Sequence, residues 1–280
     1  MELYNTVAKE LSHHLTVRYS TSFSSASKLY AANIRPHIFA IYGWVRVADE
    51  IVDTYRGKDA GDRLDDFRSD TYHAIKTGFS TNPIIQAFAD TCTRYRIDKP
   101  LIEPFITSMR YDLKPPKNYT KQLYEDYIYG SAQVVGLMCL KVFTGGDTKQ
   151  YESLRMGAES LGAAFQKVNF LRDFASDTNV LHRHYFPGVR GNILSEADKQ
   201  AIIKDIKHDF THSLPALAEL PDNCRTAVTA ATKYYYALLK KLEATPAAII
   251  SKERVRVPDW KKAEILARVK TKHTLQRRVF

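Results

Sequence analysis

Two hundred and eighty residues at 44% hydrophobic and 26% charged make an ordinary globular balance and exclude a disordered chain. Forty-one basic against thirty-one acidic side chains give a formal charge of +10, which suits an anionic partner (nucleic acid, a phospholipid surface or a phosphorylated small molecule) without choosing among them. Cys92, Cys139 and Cys224 are too few and too scattered for a disulfide framework or a cysteine zinc site, and they fit a reducing, cytoplasmic setting.

Along the chain, Met1–Asn5 shows no basic segment leading into an apolar core, so no secretory signal is expected. The 12 Gly and 11 Pro collect at punctuation points, and helical periodicity fills the stretches between them. This predicts an all-α chain with helices over 2–17, 37–56, 60–77, 83–95, 100–112, 120–143, 148–177, 196–219, 223–243 and 259–276. Pro36, Pro83 and Pro100 are expected in first turns, where a missing N–H costs nothing. The apolar run Val134–Leu140 is far shorter than the roughly 20 residues of a bilayer span. No linker, repeat or composition shift divides the chain, so residues 1–280 are expected to form one domain.

Two of these helices are apolar almost all round, as befits the middle of a bundle, and each carries one polar stripe. The stripe over 37–55 holds Tyr42, Arg46, Asp49 and Asp53; that over 157–177 holds Gln166, Asn169, Asp173 and Asp177, all at helical spacings. Paired aspartates one turn apart repel, steeply so where water is excluded, and call for a cation. Hard oxygen ligands without His or Cys suit Mg²⁺, with Mn²⁺ as an alternative, completed by waters and phosphate oxygens. The same spacing in Asp62/Asp66, Asp66/Asp70 and Asp205/Asp209 lies among basic residues and is expected to be a solvated face.

Arg46 with Ala48–Asp53, and Gln166–Asp177, resemble the two aspartate-rich motifs of the phytoene and squalene synthase family. Tyr19–Phe23 is similar to its N-terminal flap, Tyr127–Ala132 leading to Val135-Gly136 to its central helix, and Arg183–Pro187, Tyr234-Tyr235 and Arg254–Pro258 to its later segments. The resemblance implies an isoprenoid synthase-type helical bundle around a central cavity. It implies Mg²⁺ held by Asp49, Asp53, Asn169, Asp173 and Asp177, bridging the diphosphates of two prenyl substrates. Arg46, Arg183 and Arg254 would meet phosphate oxygens, and Ser20 and Ser22 would donate from the flap. Tyr42 and Gln166 would orient substrate, and Tyr127 and Tyr235 would face carbocations. Ser176 and Gln133 depart from the common family pattern. Gly130, Gly136 and Gly162 either pack helices or leave a trench for polyprenyl chains.

The activity so implied is head-to-head condensation of two geranylgeranyl diphosphates through a cyclopropylcarbinyl diphosphate to phytoene, in carotenoid biosynthesis, with no NADPH. Dehydrosqualene, squalene or presqualene diphosphate synthesis from farnesyl diphosphate is the alternative, and a non-catalytic prenyl-binding or assembly relative is the alternative of another class. Nucleic-acid binding is not expected, because the polar stripes carry acids where a DNA-reading face would carry Arg. The basic segment after Lys252, with Trp260, Lys261, Lys262, Ile265, Leu266, Val269, Lys272, Arg277 and Arg278, suits either a solvated helix or a peripheral contact with the inner membrane face. The sequence does not fix an oligomeric state.

Overall fold

The computed structural model describes residues 1–20, 25–55, 57–116, 118–189 and 191–278, with side chains as far as Thr271. Ser22 therefore lies outside the described residues. Within them the chain is helical with no strand. In order come α1 (Glu2–Tyr19), α2 (Arg35–Asp49) running into a π-helical turn (Glu50–Tyr55), α3 (Ala60–Thr77), α4 (Pro83–Tyr95) and α5 (Lys99–Leu113). Then α6 (Lys121–Ile128) passes through a second π turn (Tyr129–Gln133) into α7 (Val134–Phe143), followed by α8 (Thr148–Asn179), α9 (Glu196–Glu219), α10 (Asp222–Ala244), the short α11 (Ala247–Ile250) and α12 (Asp259–Arg278).

Local chemistry sets these boundaries. Prolines occupy the first turns of α2, α4 and α5, as expected. The Asn82 side chain accepts from Ile84 N–H, Thr120 from Leu123 N–H, Asp147 from Gln150 N–H and Ser195 from Asp198 N–H, capping α4, α6, α8 and α9. Gly78, at φ +80°, ends α3 in the left-handed conformation. The π turns are departures from the uninterrupted helices predicted over 37–56 and 120–143. At the second, Ser108 Oγ donates to the Tyr127 carbonyl at 3.3 Å. Gly130 there packs so closely on Pro104 O and Ser108 Oγ of α5 that a Cβ could not be accommodated. Gly130 is thus a packing glycine.

Two hydrophobic cores result. The first gathers residues of α2, α3, α4, α5 and α7 around Trp44, which stacks on Phe88 at 4.2 Å and donates its indole N–H to Thr71 Oγ1 at 2.9 Å. The second gathers residues of α6, α8, α9 and α10. Each large side chain buried this way contributes about 1.5–3 kcal/mol. One acidic pair departs from expectation. Lys167 of α8 reaches across to α9 and pairs with Asp205 at 2.6 Å and Asp209 at 2.7 Å, so Asp209 sits in a helix interface rather than on a solvated face. Among the described residues no helix is long and apolar enough to cross a membrane.

Candidate active site

Residues of both cores line a cavity of about 1080 Å³, large for a small-molecule site. From α1 and α2 it receives Ser20, Tyr42, Arg46 and Asp49, and from the first π turn Asp53. From α8 it receives Gln166, Asn169, Asp173 and Asp177. Tyr127, Arg183, Tyr235 and Arg254 complete the lining, so every described candidate residue opens on one space. Gly136 and Gly162 line it too, each with a neighbouring helix carbonyl at 3.3 and 3.0 Å from where a Cβ would lie.

The acids are partly neutralised by the chain itself. Arg183 Nη1 meets Asp53 Oδ1 at 2.7 Å, and Arg254 Nε meets Asp173 Oδ1 at 2.7 Å. Arg172 Nε donates to the same Asp173 oxygen at 2.9 Å. Two guanidiniums thus converge on one carboxylate, and burial together with Arg172 lowers the pKa of Arg254. Such an excess of positive charge suits an anion with more oxygens than Asp173 offers. Arg46 pairs with Glu50 and lies over the Tyr19 ring at 4.4 Å, with Asp49 at 3.8 Å.

Asp49 and Asp177, one from each stripe, are the acids that most resist ionising. Asp49 is pushed up to about 8, by burial first and by Asp53 second, against the pull of Arg46. Its side chain is 29% exposed, but that exposure is to the cavity it lines, within the protein interior. Asp177 is likewise pushed up to about 8 by burial and by Asp173, with Arg183 opposing. Ser176, beside it, is exposed and donates to the Asp173 carbonyl, away from the cavity.

Whether these residues fit a divalent cation can be judged on their oxygens. Among the described residues no three His, Cys, Asp or Glu side chains converge into a ready-made metal cage. Yet Asn169 Oδ1 is buried and finds no hydrogen-bond partner there, and it lies one turn from Asp173 in a site with two carboxylates that resist ionising. Hard oxygen donors short of partners fit Mg²⁺, which takes one or two carboxylates and completes its octahedron from water and phosphate.

Several lining residues escaped the sequence analysis. Asp112, at the end of α5, is buried beneath Tyr127, Tyr185 and Arg183 and is pushed up to about 6, burial outweighing the pull of Arg183 and Tyr127. Nothing in Arg110-Tyr111-Asp112 distinguishes it from a surface acid. Arg172 and Tyr185 sat inside recognised motifs without an assigned role. At the C-terminal end, Ile265 and Leu266 of α12 line the cavity and Val269 is buried, whereas Trp260 is exposed beside Lys261.

The squalene/phytoene synthase family profile matches residues 16–189. The chain is 25% identical over 279 residues to the 4,4'-diapophytoene synthase of Staphylococcus haemolyticus (strain JCSC1435), covering 93% of this chain and 95% of that one. It is 26% identical over 302 aligned positions to the phytoene synthase of Arthrospira platensis, covering 93% of each. Among solved structures it superposes on a dehydrosqualene synthase in complex with ligand at a TM-score of 0.84 and 19% identity, covering 96% of this chain and 98% of that one. That likeness is one of fold, the all-α isoprenoid synthase bundle.

Proposed function

Because this chain belongs to the squalene/phytoene synthase family, we propose that it condenses two geranylgeranyl diphosphates head to head into phytoene and needs no NADPH. The observation that carries this reading is the pair of acidic stripes facing each other at one cavity, interleaved with Arg46, Arg172, Arg183 and Arg254. The likeness to the phytoene synthase of Arthrospira platensis supports the C20 choice, and the cavity has an apolar depth suited to long prenyl chains. On α8 the lining runs from Asp177 down to Leu154 and becomes apolar below Gln166.

In this reading Asp49, Asp53, Asn169, Asp173 and Asp177 hold Mg²⁺, or Mn²⁺ in its place. The metal, when bound, neutralises the charge that develops on a departing diphosphate. Arg183, Arg254 and Arg46 grip phosphate oxygens in fixed directions, and Ser20 adds a hydroxyl from the end of α1. Loss of one diphosphate leaves an allylic cation. The double bond of the second substrate attacks it, and a proton leaves to close the cyclopropane. Loss of the second diphosphate starts the rearrangement, which a final proton loss ends. The rings of Tyr127 and Tyr235 flank these cations, Tyr235 being held by its stack on Phe165 at 4.0 Å. Tyr42 and Gln166, the latter donating to Ser131 Oγ at 3.3 Å, orient the substrate. A peripheral contact with the inner membrane face belongs to the same proposal, supported by the exposure of Trp260 beside Lys261.

The test is to incubate the purified protein and Mg²⁺ with C15 or C20 diphosphate, with and without NADPH, and to weigh the hydrocarbons. A C40 product from C20, unchanged by NADPH, is expected. The C15 alternative is favoured by the 4,4'-diapophytoene synthase likeness, and a C30 product with C20 left untouched would establish it instead. Asp49→Asn and Asp173→Asn should each abolish turnover while the protein stays folded.

A further inference from the structure

Asp112 belongs to neither acidic stripe, yet its side chain is only 4% exposed. A carboxylate so placed is costly unless its oxygens are matched. Tyr127 donates to Oδ2 at 2.7 Å and Tyr185 to Oδ1 at 3.2 Å, the two phenol oxygens lying 3.3 Å apart. Arg183 Nε stands 3.4 Å from Oδ1, close enough for an ion pair but not aligned as a hydrogen bond. Arg183 Nη2 donates at 3.1 Å to the Asp112 carbonyl, one of the orphan acceptors at the negative end of α5. Only Nη1 is left, and it meets Asp53 at 2.7 Å.

We propose that Asp112 is a positioning residue. It anchors Arg183 so that Nη1 is directed at Asp53 on the cavity lining, and it holds the Tyr127 and Tyr185 hydroxyls to the wall. The inference rests on the diphosphate reading given above. Burial works against the charge on Arg183, but Asp112, Tyr185 and Asp53 outweigh it, so the guanidinium stays charged out of water. A buried ion pair returns little net stability; its value lies in where it fixes the cation. With both phenols donating to Asp112, neither has its proton free for a phosphate oxygen, and their rings remain as cavity wall.

The test is a double-mutant cycle read by calorimetric titration of inorganic diphosphate with Mg²⁺ into the full-length protein. Asp112→Asn is expected to weaken binding by about tenfold or more, as removal of one partner of a buried pair does. If Asp112 acts through Arg183, the double variant binds within about twofold of Arg183→Gln alone. Wild-type-like binding by Asp112→Asn, or losses that multiply in the double variant, would overturn the inference. A residue that only stabilises the fold would lower the melting temperature without moving the affinity of the folded protein. Where Asp112→Asn does not fold, Asp112→Glu keeps the charge but displaces it, and the same weakening is expected; unchanged affinity overturns the proposal. A wild-type protein that ignores Mg²⁺ and diphosphate overturns the functional reading along with this one, whereas C20 turnover preserved in Asp112→Asn overturns this one alone.

Discussion

Asp49 and Asp177 hold protons that an unfolded chain would release. With their pKa raised from 3.8 to about 8, the native state binds more protons than the unfolded state between about pH 4 and 8, so their stabilising contribution is lost as pH rises through that window. Metal-free protein should accordingly melt at progressively lower temperature from pH 5 to pH 8, and Mg²⁺ with diphosphate should restore more stability at the upper end. Calorimetry at pH 7 in two buffers of different ionisation enthalpy should detect protons released on binding, and Asp49→Asn should release fewer. These acids were legible in the sequence because an acid on an otherwise apolar helix needs a reason. Asp112 was not, since its partners arrive from α6 and from the loop after α8, and no periodicity within α5 reports them. Lys167 was hidden likewise, its two aspartates being supplied by a different helix.

Helices were legible nearly to the residue, because caps and prolines are local signals: Asn82 with Pro83, and Ser195, mark starts that the structure keeps. The π turns were not, because hydrophobic spacing hardly changes when one residue is squeezed into a turn. At the second one α5 approaches so closely that only a bare Cα is tolerated at residue 130. Gly130→Ala should therefore destabilise the protein by about 1–3 kcal/mol or more, read as a lower denaturant midpoint with unchanged slope. Gly78→Ala, at a left-handed position facing open space, should cost only about 1 kcal/mol. A Gly130 variant as stable as the Gly78 variant would show that α5 and α6 are free to part.

For the whole molecule, the two motifs implied a shared site, but no sequence feature gave the depth of the space beneath it. That depth comes from α8 running past both cores with Leu154, Gly157, Leu161 and Phe165 along one edge. The division into two cores with an apolar space between them also bears on handling the protein. In the proposed reading, a prenyl tail lying there packs against apolar side chains of both cores at once. Farnesol or geranylgeraniol, which carry the tail without the diphosphate, should raise the melting temperature with no metal present, the longer alcohol more than the shorter. By the same logic detergent tails and cell lipids will compete for this slot during purification, and protein stripped of them should be the softer preparation.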